Sequence, residues 1–243
     1  MMQNETTLGG TKRFPQTRWS VLLSVTDAAS PKYRENLNYL VSIYWKPVYA
    51  YIRRSWNKSN EDAKDLTQGY FMNLLDYESF TKLTASKGRF RSFIKASLKN
   101  YLSQEEGFNS RQKRGGDCVQ LSIDFGAADE LIIPAQDSDP EEIFDTEWKQ
   151  ALVARSLEIL KEDLAKSGKI NYYEIFHEFY YSDSESLSYD QIALKYNVSR
   201  FDVGNYLKAA RSMFRKIVLT MIADYVSDGN EIDQEFRFLF ESE

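Results

Sequence analysis

Arg91, Lys95 and Lys99 stand four residues apart, so on a helix they share one face. Three aligned cations suit the phosphates of a nucleic acid. Asn100, Gln104 and Asn109 add amides able to read base edges, and Arg111, Lys113 and Arg114 extend the charge. A second basic set lies later, at Arg200, Asn205, Lys208 and Arg211 with the aromatic Phe201, opposite an apolar stripe of Val203, Leu207, Ala210 and Phe214. Asp62 and Asp65, three apart, share a side of their helix with Gly69 and Met72, and Gln68 lies beside them. Two carboxylates without a third ligand of clear geometry fit a protein-docking or merely solvated face better than a metal centre. His177 is the only histidine and Cys118 the only cysteine. Cys/His zinc sites and an intramolecular disulfide are therefore excluded, and Ser-His-Asp or Cys-His catalysis would rest on His177 alone. The expectation is a binding protein with no catalytic residue, no metal and no cofactor.

Net charge over the 243 residues is −5, which by itself argues against a nucleic-acid partner. Its distribution argues the other way. Segment 82–114 carries nine basic residues against two acidic ones. Segment 117–147 carries ten acids and no Lys or Arg, and 224–243 sets seven acids against Arg237. Such segregation makes directed fields and implies charged partners.

The elements that must hold these residues read as helices throughout. Leu37, Leu40, Val41 and Tyr44 recur at helical spacing, and Pro47 suits the first turn of a following helix with Val48, Tyr51 and Ile52. A third helix starts near Ser59, with Asp62 completing a capping box, and runs to about Leu75. Phe90, Phe93, Ile94, Ser97, Leu98, Tyr101 and Leu102 give the cleanest period, and Gly115-Gly116 stops this helix or its successor. Asp139-Pro140-Glu141-Glu142 is a helix start for Phe144, Trp148, Ala151, Leu152, Ile159 and Leu160, and another helix spans about 172–181. At 188–216, Ser188 and Gln191 cap a short helix, Asn197 suits a left-handed stop, and Ser199 with Asp202 caps a second, longer helix. The predicted fold is all-α: two helical domains joined by an acidic linker, the second with a helix-turn-helix. The divisions are a disordered leader 1–13, a first domain 14–116, a linker 117–139, a second domain 140–226 and an acidic tail 227–243. No apolar run reaches the ~20 residues of a membrane span, the polar start is no signal peptide, and the lone cysteine fits the reducing cytoplasm.

Taken together, Asp62-Ala-Lys-Asp-Leu-Thr-Gln68, then Phe90-Arg-Ser-Phe-Ile-Lys with Lys99-Asn100, then Ser188-Tyr-Asp-Gln-Ile-Ala and its second helix resemble a bacterial RNA polymerase sigma factor of the extracytoplasmic-function subfamily. Phe14-Pro15-Gln16-Thr17-Arg18-Trp19-Ser20 and Tyr44-Trp45-Lys46-Pro47-Val48-Tyr49-Ala50-Tyr51 resemble one branch of it. The resemblance covers about 14–116 and 145–222. It implies that Asp62, Asp65, Gln68 and Met72 face the polymerase clamp helices. It implies that Arg91, Lys95, Lys99, Asn100, Arg111 and Lys113 hold the minus-ten promoter element. Arg200, Phe201, Asn205, Lys208 and Arg211 would read the minus-thirty-five element. Core polymerase, through its clamp helices and flap, promoter DNA and an anti-sigma factor are the implied partners. Gly204 and Tyr206 depart from the basic residues many relatives carry, and Asp202 is acidic at the start of the reading helix. The rival readings are a helix-turn-helix regulator acting without polymerase and a metal-dependent nuclease built on acids such as Asp62 and Asp65.

Overall fold

The structure, a computed structural model, describes residues 31–74, 90–108, 123, 125, 139–181, 187–223, 226 and 229–240. Among the described residues there are eight α-helices and no strand: α1 (Pro31–Ser55), α2 (Asn60–Leu74), α3 (Phe90–Phe108), α4 (Pro140–Lys166), α5 (Ile170–Tyr181), α6 (Tyr189–Tyr196), α7 (Arg200–Ala223) and α8 (Gly229–Phe240). The all-helical expectation holds. The leader 1–13, nearly all of the linker 117–139, Gly115-Gly116 and Cys118 lie outside the described residues. No helix among the described residues is long and apolar enough to cross a membrane.

Local chemistry starts these helices where the caps stand. Ser59 Oγ accepts the Asp62 N–H at 3.1 Å ahead of α2. Asp139 accepts the Glu141 N–H at 3.0 Å, with Pro140 in the first turn of α4 and Glu141 and Glu142 against the positive helix end. Each such cap is worth about 1 kcal/mol. Pro47 behaves differently from expectation. It opens no new helix but sits inside α1. A proline there forfeits one intrahelical bond, but Ile43, Tyr44, Val48, Tyr51 and Ile52 are all buried around it, and their burial at about 1.5–3 kcal/mol each carries the helix through.

α1 packs most extensively on α4, and α7 lies against α4, α5, α6 and α8. Tyr44, Val48 and Ile52 of α1, Phe144, Trp148 and Leu152 of α4, and Val203, Leu207, Phe214 and Val218 of α7 belong to one contiguous core. From the linker region, Phe125 packs edge-on against Trp45 with ring centroids 5.4 Å apart. α2 and α3 meet where Tyr70 Oη lies 2.6 Å from Ser97 Oγ. Gly69 permits that approach, since a Cβ there would stand 2.5 Å from the Tyr101 hydroxyl. Within the segment read as an acidic tail, residues 229–240 form α8, whose Phe236, Phe238 and Leu239 pack half-buried on the core and whose Glu235 is fully buried. The acids of this segment share the helix with five apolar side chains, Ile232, Phe236, Phe238, Leu239 and Phe240.

Candidate nucleic-acid interface

α6 and α7 are joined by the three residues 197–199. Ser188 accepts the Gln191 N–H at 3.3 Å while the Gln191 side chain accepts the Ser188 N–H at 2.7 Å. Asn197 ends α6 in the left-handed region, at φ 50° and ψ 49°, a conformation that Asn tolerates better than other side chains. Ser199 then accepts from the Asp202 N–H at 3.1 Å, and the Asp202 carboxylate accepts from the Ser199 N–H at 3.2 Å. The acid at the head of α7 is thus occupied in its cap. Val203, Leu207, Ala210 and Phe214 are buried, as their spacing predicted. Arg200, Asn205, Lys208 and Arg211 are exposed on the outer side, and the Phe201 ring is 77% exposed. Arg200 Nε reaches Asp190 at only 3.7 Å with both side chains open to solvent, a pair worth at most about 1 kcal/mol. Tyr206 has a structural reason for departing from the basic pattern: its ring stacks on Tyr172 of α5 with centroids 4.1 Å apart. Leu194 of α6, which the sequence reading did not single out, is 84% exposed.

The basic face of α3 is split. Lys99 and Asn100 are exposed. Arg91 is not: it is 5% exposed, where the sequence pattern set it opposite the apolar stripe. Its Nη1 donates to Asp145 of α4 at 2.6 Å and its Nη2 to Glu235 of α8 at 3.2 Å. Its guanidinium lies 4.9 Å from the Trp148 ring centroid and 4.2 Å from that of Phe238. Burial works against the charge, but Glu235 and Asp145 outweigh it and hold the Arg91 pKa above its ordinary value. Lys95, half-buried, reaches Asp145 at 3.3 Å and Glu141 at 3.4 Å. The neighbouring Tyr44 phenol, fully buried, has its pKa pushed up by burial, offset in part by Trp148. The reason Arg91 is drawn in is long-range: its partners lie 54 and 144 residues away in sequence. Arg111 and Lys113 lie outside the described residues.

On α2, Asp62 and Asp65 are exposed, while Gln68 and Met72 are half-buried. Gly69, on the same side, lies against Tyr101, so the open part of that face is its N-terminal half. The structure therefore gathers the candidates as three separate surfaces rather than one centre. His177 is exposed, with its ring 5.6 Å from Tyr173 and 5.8 Å from Tyr181. Among the described residues, no three His, Cys, Asp or Glu side chains are grouped to hold a metal ion. A cleft of about 980 Å³ between α1, α4 and α7, bordered by Lys46, Arg155, Glu158 and Lys216, includes none of the candidate residues. No family model, no curated protein and no solved structure matches this chain.

Proposed function

We propose that this chain is a cytoplasmic, non-catalytic sigma factor of the extracytoplasmic-function type, which binds core RNA polymerase, directs it to promoters and assists their melting. The observation that carries the reading is the outer face of α7. A helix with a capping box at its N-terminus holds its apolar stripe in the core and presents Arg200, Asn205, Lys208 and Arg211 to solvent from a tight turn. Arg or Lys pairs with guanine and Asn with adenine in the major groove, and an exposed ring such as that of Phe201 suits a thymine methyl. In this reading α6 and α7 are a helix-turn-helix within a second domain, 140–226, joined to a first domain, 14–116, by the linker 117–139. Asp62 and Asp65 offer an acidic patch to the clamp helices, and Lys99 and Asn100 offer an open edge to the minus-ten element.

The test is to add the purified protein to sigma-free core polymerase and sequence the transcripts made from genomic DNA. A set of start sites sharing upstream and downstream elements is expected. Asn205→Ala should lose discrimination at one upstream position, at about 1–3 kcal/mol, and Asp65→Lys should weaken association with core while leaving the helical content intact. Random initiation, or none, refutes the reading. One observation favours a second reading, a helix-turn-helix regulator acting without polymerase. The α7 face stands open while Arg91 and Lys95 of α3 are already paired with acids. Sequence-specific DNA binding without co-purification of core enzyme would select it.

A further inference from the structure

Arg91 is nearly enclosed, yet what encloses it comes from two elements of different standing. Asp145 sits in the second turn of α4, one of the longest helices of the fold, whose Phe144 and Trp148 flank it in the core. Glu235 sits on α8, a twelve-residue helix at the end of the described chain. The seat of α8 is shallow. Phe236, Phe238 and Leu239 are half-buried, Phe240 is exposed, and Arg215 lies against the Phe236 ring from the solvent side. A helix held by half-buried side chains belongs to the low-stability end of a fold, where local opening is easiest. Glu235 is the fully buried charge on that helix, and the guanidinium it holds is a group that accepts carboxylate and phosphate in the same forked geometry.

We propose that α8 is a latch that keeps the Arg91 end of α3 closed to DNA, with Glu235 standing where a DNA phosphate would bind Arg91. This rests on the sigma-factor reading, which makes that surface the one for opened promoter DNA. When α8 leaves, the Nη2 edge of Arg91 is uncovered, while Asp145 stays on Nη1 and keeps the guanidinium oriented. A phosphate then replaces Glu235, one anion for another, about two turns along α3 from Lys99 and Asn100, which are exposed already. Arg91 meets DNA only in the fraction of molecules whose latch is open, so the affinity that it adds is lowered by that fraction.

The experiment compares the full-length protein with Glu235→Gln, Phe238→Ala and, as control, Arg237→Ala on the exposed side of α8. The probe is a fluorescein-labelled duplex with an unpaired bubble of mixed sequence, read by anisotropy, with amide hydrogen exchange of α3 and α8 followed in parallel. Glu235→Gln should bind about tenfold tighter, a difference of about 1.4 kcal/mol, and exchange faster along α8. Phe238→Ala should bind tighter too, with Glu235 still in place, whereas Arg237→Ala should match the unaltered chain. Loss of folding would lower binding rather than raise it, and if Glu235→Gln fails to fold then Phe238→Ala decides. Equal affinity of all four proteins, together with promoter-directed transcription by the unaltered chain on core polymerase, overturns the latch and leaves the sigma reading standing. No DNA binding by any form, and no transcription, overturns the sigma reading and the latch with it.

Discussion

Replacing Arg91 by Met keeps an apolar stem between the Trp148 and Phe238 rings and deletes the charge that two carboxylates share. Asp145 is half-exposed and can turn to water, but Glu235 has no exposed surface and is left as a buried anion without its cation. Breaking a buried pair from one side costs about 3–5 kcal/mol. Arg91→Met should therefore lose about 3–5 kcal/mol. Arg91→Met combined with Glu235→Gln should recover at least about 2 kcal/mol of it, because the buried charge is gone from both sides. Urea unfolding of the four proteins of this double-mutant cycle at pH 7 reads both quantities. A single-variant loss under about 1 kcal/mol, or a coupling energy within about 0.5 kcal/mol of zero, would show that the enclosed ion pairs do not hold α8 and α4 to α3.

Asn197→Val places a β-branched side chain at φ 50° and should cost about 1–2 kcal/mol, while Asn197→Gly should stay within a few tenths; thermal melts that rank the two alike would contradict the left-handed cap. Glu147, buried on α4, has its pKa raised above 4.5 by desolvation, with Lys46 opposing. A raised carboxyl favours the fold below its ordinary pKa and loses that advantage as pH climbs through the folded value. Glu147→Gln should accordingly be the more stable form at pH 7 and lose its lead below about pH 4; urea midpoints at both pH values decide it. In salt titrations against single-stranded DNA, Lys99→Ala should flatten the slope of log affinity on log salt by about 0.7. Lys95→Ala should change it less, because Asp145 and Glu141 already hold that ammonium. Equal effects would mean that neither carboxylate competes with DNA.

Features whose cause is local were legible in the sequence. Ser59 with Asp62, Asp139 with Pro140, Ser188 with Gln191, and Ser199 with Asp202 each satisfy backbone groups within three residues, so spacing alone discloses them. The buried stripe Val203, Leu207, Ala210 and Phe214 was legible for the same reason, and with it the open face of α7. Pro47 was misleading because its backbone rule is local, whereas the burial that overrides it comes from packing against α4. Arg91 was misread for a related reason. Segregated charge announces that the basic segment has a partner, but not that the chain supplies two carboxylates itself from far along the sequence. Tyr206 appeared as a missing cation until its stack on Tyr172 gave it a packing role.

The 144 residues that separate Arg91 from Glu235 also set a clock. At a synthesis rate of about 5–20 residues per second, roughly 7–30 s pass between the appearance of the arginine on the ribosome and that of the glutamate. Throughout that interval α3 exists without the helix that finally covers it, and Asp145 arrives well before α8 does. The nascent chain thus passes through an uncovered form each time it is made.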